Sequence, residues 1–157
     1  MSPLASPEAS NATGSDHVYV RVRSLKTSAG SARAVGDGSE VLLVGHAVFQ
    51  GEASEFVLNP LGVVHGGLAL TLVDSATGCA VQTMLPVGVG YTTLETKANF
   101  VRQIRTDSGT LRAIGRAVHV GRSTATADAR IEDASGRLYA HGTSTLLILG
   151  QPPEDAP

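Results

Sequence analysis

Residues 56–94 constrain the fold most strongly, because Asp74 is the only one of them with a formal charge at neutral pH. Within this stretch, residues 66–85 have the sequence GGLALTLVDSATGCAVQTML, which is apolar on nearly every face of a helix. A helix that is hydrophobic all round is normally buried. Pro86 and Gly88 end the segment. We therefore predict a long central helix inside the protein.

A membrane-spanning segment is the alternative to a buried helix. A carboxylate in the middle of such a segment is costly in lipid. The small residues Ala76, Gly78 and Ala80 suit close packing against protein instead. We therefore favour a buried helix and expect no membrane association.

Four strand-like runs follow the helix and predict an antiparallel meander over residues 91–101, 110–120, 122–133 and 137–149. Turn signals rich in Asp, Ser and Gly separate them. Two of the runs carry a face of small side chains, which lets a helix approach closely. These small residues are Ala113, Gly115 and Ala117 on one strand and Ser123, Ala125, Ala127 and Ala129 on the next. The pattern predicts an α+β domain whose sheet curls round one helix.

The chain is predicted to form a single domain over residues 17–150, between flexible tails at 1–16 and 151–157. Its 42% apolar content is enough for a real core. Before the helix, residues 16–25 and 41–50 are strand candidates, and the residues between them have a loop-like composition.

The charge balance and the single cysteine limit the class of protein. A net charge of −2 does not favour nucleic-acid binding, while eight basic against five acidic residues over 95–150 fit a small anionic ligand. Cys79 cannot form an internal disulfide, and a buried thiol in an apolar helix is normally inert. We expect a reducing, cytoplasmic setting, since residues 1–15 also lack the features of a signal peptide.

The run NPLGVVHGG, residues 59–67, leads into the helix. Gly66 and Gly67 open it, where backbone N–H groups have no internal partner and the helix dipole is positive. Such an end can bind a carbonyl oxygen that becomes negative during acyl transfer. Asp74 lies about 12 Å further along the helix, too far to serve the same carbonyl. The Asp74 of a second, two-fold-related chain could reach it, which predicts a dimer with shared sites.

A carboxylate in an apolar helix needs partners, because desolvation disfavours its charge. A general base or a nucleophile would suit such a position. The structural alternative is an Asp74 bonded to a nearby hydroxyl, such as that of Ser75 or Thr77, or to the backbone. The residues alone leave both interpretations open.

The pattern NPLGxxHGGx(6)DxxxG, followed by GYTTLExKxNFxR, resembles the PaaI-like branch of the hotdog thioesterases over about residues 45–149. The resemblance implies a hotdog fold, in which a curved antiparallel β-sheet wraps a long central helix. It implies homodimers that usually pair into tetramers. It also implies hydrolysis of an acyl-coenzyme A thioester, with no metal and no cofactor beyond the coenzyme A of the substrate.

The resemblance further implies roles for single residues. Asp74 matches the catalytic carboxylate, acting from across the dimer as general base or nucleophile. Gly66 matches the backbone N–H that polarises the thioester carbonyl. Asn59 matches a residue that contacts the carbonyl or positions the attacking water, and His65 matches a histidine beside the oxyanion site. Thr93 lies near the family hydroxyl that helps to hold the water.

A second group of residues is predicted to bind the substrate or its coenzyme A. The hairpin over residues 119–124 resembles a family segment that contacts the pantetheine and the phosphates. The predicted binding residues are Gly67, Arg102, His119, Val120, Gly121, Arg122, Ser123 and Thr124.

Structural alternatives remain open for several of these residues. His65 could serve only to cap the helix, and Asn59 precedes a proline in a common turn pair. Thr93 could be only a strand former, with Thr92 as a substitute. Arg122 could be a solvated residue at the end of a hairpin.

Two other functions are compatible with a hotdog fold. One is a hotdog dehydratase or hydratase, which is disfavoured because the chain has neither a His-Phe-Pro-Gly run nor an Asp-x-x-x-x-His pair. The other is a non-catalytic acyl-CoA-binding module, which would not need a buried Asp74. The identity of the acyl group does not follow from the sequence.

Overall fold

The computed structural model describes residues 21–23, 33–34, 41–42 and 44–150. The helix is α1 (Gly66–Gln82), and a short 3-10 turn (Glu55–Val57) precedes it. The strands are β1 (Arg21–Arg23), β2 (Arg33–Ala34), β3 (Val41–Leu42), β4 (His46–Gly51), β5 (Gly90–Phe100), β6 (Leu111–Val120), β7 (Thr124–Asp133) and β8 (Leu138–Leu149). Both predicted tails, and most of the strand predicted at 16–25, lie outside the described residues.

Six strands form one antiparallel sheet in the order β1-β4-β6-β7-β8-β5, and β2 pairs separately with β3. α1 packs against every strand from β4 to β8, which confirms the predicted hotdog fold. The predicted four-strand meander is wrong in one respect, because β5 pairs with β8 and not with β6. The connection over residues 101–110 is long enough to reach the other side of the sheet. Its Ile104 is buried, and the carbonyl of Ile104 accepts the N–H of Val64.

Two predicted boundaries change for local reasons. The strand predicted over 41–50 is divided into β3 and β4 by a turn at Gly45, whose φ of 84° lies in the left-handed region. α1 ends at Gln82 and not at residue 85. There the Thr83 hydroxyl donates to the Ala80 carbonyl at 2.7 Å and accepts the Gly45 N–H at 2.7 Å. In the part of the chain that the structure describes, no helix is both long and apolar enough to span a membrane.

The helix lies very close to the sheet, as the small residues predict. A Cβ on Gly115 would stand 2.1 Å from the backbone oxygen of Ala76. Five of the predicted small residues are buried beneath the helix: Ala113, Gly115, Ala125, Ala127 and Ala129. Ser123, which was predicted to belong to this face, is exposed in the turn between β6 and β7.

One stripe of α1 is not covered by the residues that the structure describes. Eight helix residues are buried against the sheet: Ala69, Leu72, Val73, Ala76, Thr77, Gly78, Ala80 and Val81. The residues of the outer stripe are exposed or half-buried and recur every three or four positions: Gly67, Leu70, Thr71, Asp74, Ser75 and Cys79. Asp74 therefore lies on the outer side of the helix and not in the core beneath it.

Candidate active site

A tight loop leads the chain into the start of α1. The Asn59 Oδ1 atom accepts the N–H groups of Leu61 at 2.9 Å and Val63 at 3.2 Å. Leu58 and Val64 pair as a short antiparallel bridge that closes the loop. The side-chain oxygen of Asn59 thus builds the turn, as its structural alternative requires, while its amide nitrogen takes no part in these two bonds.

His65 caps α1 and leaves one backbone donor free. Its Nδ1 atom accepts the Gly67 N–H at 2.9 Å, so in a neutral ring the proton is on Nε2. The Leu68 N–H bonds to the His65 carbonyl at 3.0 Å. Within residues 44–150, the N–H of Gly66 has no hydrogen-bond acceptor. Gly66 therefore presents the free N–H that an oxyanion site needs, whereas the N–H of Gly67 is already occupied.

A cavity of about 270 Å³ opens beside this end of the helix. Its walls come from residues 63–66 and 100–104, together with Tyr139. The ring of Phe100 lies against Gly66, where an added Cβ would meet it at 3.2 Å. Arg102 stands over the ring of Tyr139 at 5.9 Å, and its guanidinium donates to a backbone carbonyl at 3.0 Å. The free N–H of Gly66 thus lies beside a space lined by apolar groups, by the polar side chains of His65 and Gln103, and by the cation of Arg102.

Asp74 is half-buried and bonds to a hydroxyl on β5. Thr96 donates to Asp74 Oδ1 at 2.9 Å. The Thr96 hydroxyl also lies 3.1 Å from the Ser144 hydroxyl, to which Thr77 donates at 2.7 Å. The hydroxyl that reaches the carboxylate is therefore that of Thr96, and not that of Ser75 or Thr77, the two partners expected under the structural alternative.

A bulge in β5 explains why the alternation of the sequence conceals Thr96. Thr93 lies opposite Leu146 and Thr96 lies opposite Ser144, and both of these partners are buried. Residues three apart in a regular strand face opposite sides of the sheet. The register shifts after Thr93, where Leu94 is the extra residue, so Thr93 and Thr96 both face the helix. No hydrogen bond from the Thr93 hydroxyl is found within residues 44–150.

Tyr91 lies on the same face of β5, against Gly78 of the helix. Burial, followed by the neighbouring Cys79 and Asp74, raises the pKa of Tyr91 to about 12. Burial also raises the pKa of the Cys79 thiol. A thiol of this kind is protonated at neutral pH, so Cys79 is not an activated nucleophile.

The hairpin over residues 119–124 lies near the opposite end of α1 from Gly66. Val120 packs in the apolar cluster that contains Val81, close to the end of the helix. Four hairpin residues are exposed: His119, Arg122, Ser123 and Thr124. Gly121 is half-buried, and no ion pair to Arg122 occurs among the described residues. Within one chain, roughly the length of a 17-residue helix, about 25 Å, separates this hairpin from the oxyanion donor.

Comparisons with known proteins agree with the fold. A model of the thioesterase superfamily matches residues 61–140. The 1,4-dihydroxy-2-naphthoyl-CoA hydrolase of Listeria monocytogenes is 30% identical over 114 residues, which are 71% of this chain and 90% of that protein. The crystal structure of AziG from S. sahachiroi superposes with a TM-score of 0.66 at 25% identity, over 68% of this chain and 86% of its own. A hypothetical thioesterase protein from Streptococcus pneumoniae with coenzyme A gives a TM-score of 0.62 at 31% identity, over 69% and 85%.

Proposed function

Because the chain belongs to the thioesterase superfamily, we propose that it hydrolyses an acyl-coenzyme A thioester to a free acid and coenzyme A. The observation that carries the proposal is the helix itself, which begins with a free Gly66 N–H beside a cavity and holds Asp74 on its outer stripe. The coenzyme A in the pneumococcal structure and the CoA thioester in the name of the Listeria relative support this class of substrate.

The proposed reaction begins with a water molecule held by Asp74. As the water oxygen bonds to the thioester carbon, Asp74 takes its proton as a general base. The carbonyl oxygen becomes negative and accepts the N–H of Gly66 at the positive end of the helix. Collapse of this intermediate breaks the carbon–sulfur bond, and protonated Asp74 returns its proton to the departing sulfur. No metal or further cofactor takes part in this scheme.

We propose that Gly66 and Asp74 meet across a homodimer, because one chain holds them about 12 Å apart. The uncovered stripe of α1 supports this pairing, since Leu70 on it is 38% exposed. β5 is an edge strand of the sheet, and its Leu94 is 59% exposed. A second copy of the chain along this side would cover both apolar groups. Pairing of two such dimers into a tetramer remains a prediction from the family resemblance.

The same pairing would account for the remaining predicted residues. In the dimer, the hairpin of one protomer would lie near the helix start of the other, although the two features lie far apart within a single chain. Arg122 and His119 would then face the phosphates of coenzyme A, and Arg102 would stand at the mouth of the cavity. Asn59 and Thr93 would contact the carbonyl and the attacking water.

A thiol-release assay over acetyl-, isobutyryl-, palmitoyl- and benzoyl-CoA tests the activity. We expect turnover of at least one of these thioesters, and a loss of at least about 100-fold in kcat in Asp74→Asn without loss of the folded assembly. Binding of all four thioesters without thiol release would favour a non-catalytic module. Near-normal kcat in Asp74→Asn would refute the mechanism.

Shared sites can be tested by complementation. Gly66→Ala brings a Cβ within 3.2 Å of the Phe100 ring and crowds the oxyanion donor. Asp74→Asn and Gly66→Ala are each expected to be nearly inactive alone. If the two variants are co-expressed and pair at random, half of the dimers are mixed, and each mixed dimer has one intact site of its two. The mixture should therefore recover about a quarter of the wild-type rate. No recovery in a purified mixed dimer would refute shared sites.

A further inference from the structure

Three hydroxyls form a chain that ends on the Asp74 carboxylate. The Thr77 hydroxyl lies 2.7 Å from that of Ser144, and Ser144 lies 3.1 Å from Thr96. Thr96 in turn lies 2.9 Å from Asp74 Oδ1. Thr77 and Ser144 are the two polar residues that the described part of the chain buries, at 0% and 2% exposure. Buried hydroxyls are costly unless they are hydrogen-bonded, and those of Thr77 and Ser144 both bond into this chain.

The direction of the bonds follows from counting protons. An ionised carboxylate only accepts hydrogen bonds, so Thr96 must give its one hydroxyl proton to Asp74. The Thr96 oxygen can then only accept, and Ser144 must donate to it. Ser144 in turn accepts the proton of Thr77. The three hydroxyls therefore point in one direction, towards Oδ1, and each strengthens the next.

The same chain can also run in the opposite direction. The Thr77 hydroxyl lies 2.9 Å from the Val73 carbonyl and 3.0 Å from the Asp74 carbonyl, so it can donate to the backbone in place of Ser144. If Oδ1 carries a proton, it donates to Thr96, and the reversed chain ends on the backbone. The bond between Thr96 and the carboxyl group is thus kept in both protonation states of Asp74.

We infer that Thr96, supported by Ser144 and Thr77, is a positioning residue for Asp74. It fixes Oδ1, so that Oδ2 is the oxygen turned towards the attacking water. A carboxyl group held in both protonation states suits a general base, which gains and loses a proton in every cycle. This inference rests on the hydrolase function proposed above.

The test compares two substitutions of one residue, assayed with the best substrate of the thiol-release screen. Thr96→Val keeps the shape of the side chain and removes the hydroxyl, whereas Thr96→Ser keeps the hydroxyl. We expect Thr96→Val to lower kcat on the order of tenfold at unchanged KM, and Thr96→Ser to restore most of it. Thr143→Val is the matched control, because Thr143 is exposed on β8 beside Ser144 and faces the other side of the sheet.

A double variant separates a positioning role from a structural one. Once Asp74→Asn has removed the base, Thr96→Val should lower the residual kcat no further, because the two residues act as a unit. Ser144→Ala, which leaves Thr96 in place, provides a second test and should lower kcat by a smaller factor than Thr96→Val. Wild-type kcat in Thr96→Val, or a loss in Thr96→Ser equal to that in Thr96→Val, would overturn the inference.

The same series distinguishes this failure from failure of the proposed function. If Asp74→Asn is inactive while Thr96→Val matches the wild type, the hydrolase mechanism stands and the positioning role is wrong. If Asp74→Asn itself retains wild-type kcat, the carboxylate is not the base, and the positioning role is overturned together with the mechanism.

Discussion

The close approach of helix and sheet at Gly115 gives the sharpest prediction about the fold. In Gly115→Ala, the new Cβ would stand 2.1 Å from the Ala76 carbonyl oxygen, whereas ordinary contacts begin near 3.4 Å. The helix or the strand must therefore move by roughly 1.3 Å, and neither atom belongs to a flexible side chain. Overpacking of this kind lowers the free energy of unfolding by about 3 kcal/mol at the upper end of its range. Alanine also restricts the unfolded chain more than glycine does, which offsets up to about 1 kcal/mol of this loss.

The expected loss in the free energy of unfolding is therefore about 2 kcal/mol. Urea unfolding followed by circular dichroism should show a lower midpoint at unchanged slope, measured at equal protein concentrations. Gly90→Ala is the control, because a Cβ there meets nothing within 4 Å, and it should change stability by at most about 0.5 kcal/mol. Equal midpoints for Gly115→Ala and the wild type would refute the close packing.

The displaced helix should also affect catalysis. Ala76 lies two residues after Asp74 on α1, so a shift at Ala76 moves the carboxylate by a similar distance. A misplacement of about 1 Å can cost on the order of 100-fold in rate. We expect kcat of folded Gly115→Ala to fall well below that of Gly90→Ala. Equal kcat in the two variants would show that the helix does not move.

Three further predictions concern particular side chains. Gly78→Ala would place a Cβ 2.3 Å from the Tyr91 hydroxyl, which should cost about 1–3 kcal/mol in urea unfolding, and Tyr91→Ala in the same chain should relieve most of that cost. The raised pKa of Tyr91, about 12, should appear in an ultraviolet absorbance titration as a step at high pH that is missing in Tyr91→Phe. The contribution of the neutral phenol to the free energy of unfolding is full below pH 10 and is lost as the pH rises through 12. Hydrogen bonds, first that of the Ser135 hydroxyl, lower the pKa of Asp133 from 3.8 to about 2, so its contribution to stability is present above pH 3.8 and is lost as the pH falls towards 2. In Asp133→Asn, the urea midpoint should therefore depend less on pH over that interval, and the same pH dependence as in the wild type would contradict this.

The helix and the four strands that follow it could be predicted from the sequence, because their signals are local. An apolar run interrupted by one carboxylate gives α1, and alternation with turn residues gives β5 to β8 to within two residues at each end. The neighbours of β5 could not be predicted this way, because the order of strands in a sheet depends on long connections and not on local periodicity.

The partner of Asp74 escaped prediction for a related reason. Strict alternation from Thr93 would turn Thr96 away from the helix, and only the bulge at Leu94 turns it back. A bulge depends on the facing strand, so neither residue reveals it alone. The sequence did indicate the acidic position itself, because Asp74 is the one formal charge in residues 56–94.

The uncovered stripe of α1 connects the chemistry of this chain with its assembly. A helix that is apolar all round should be buried all round, yet the described residues leave the outer stripe of α1 exposed or half-buried, and Asp74 lies on that stripe. Among the described residues, the carboxylate has one hydroxyl partner, that of Thr96, and this single bond leaves its second oxygen available. A second copy placed there would bury the apolar stripe and would bring its own Gly66 towards that oxygen. If this is so, variants that weaken association should lose kcat together with dimer content, even where they touch neither Gly66 nor Asp74.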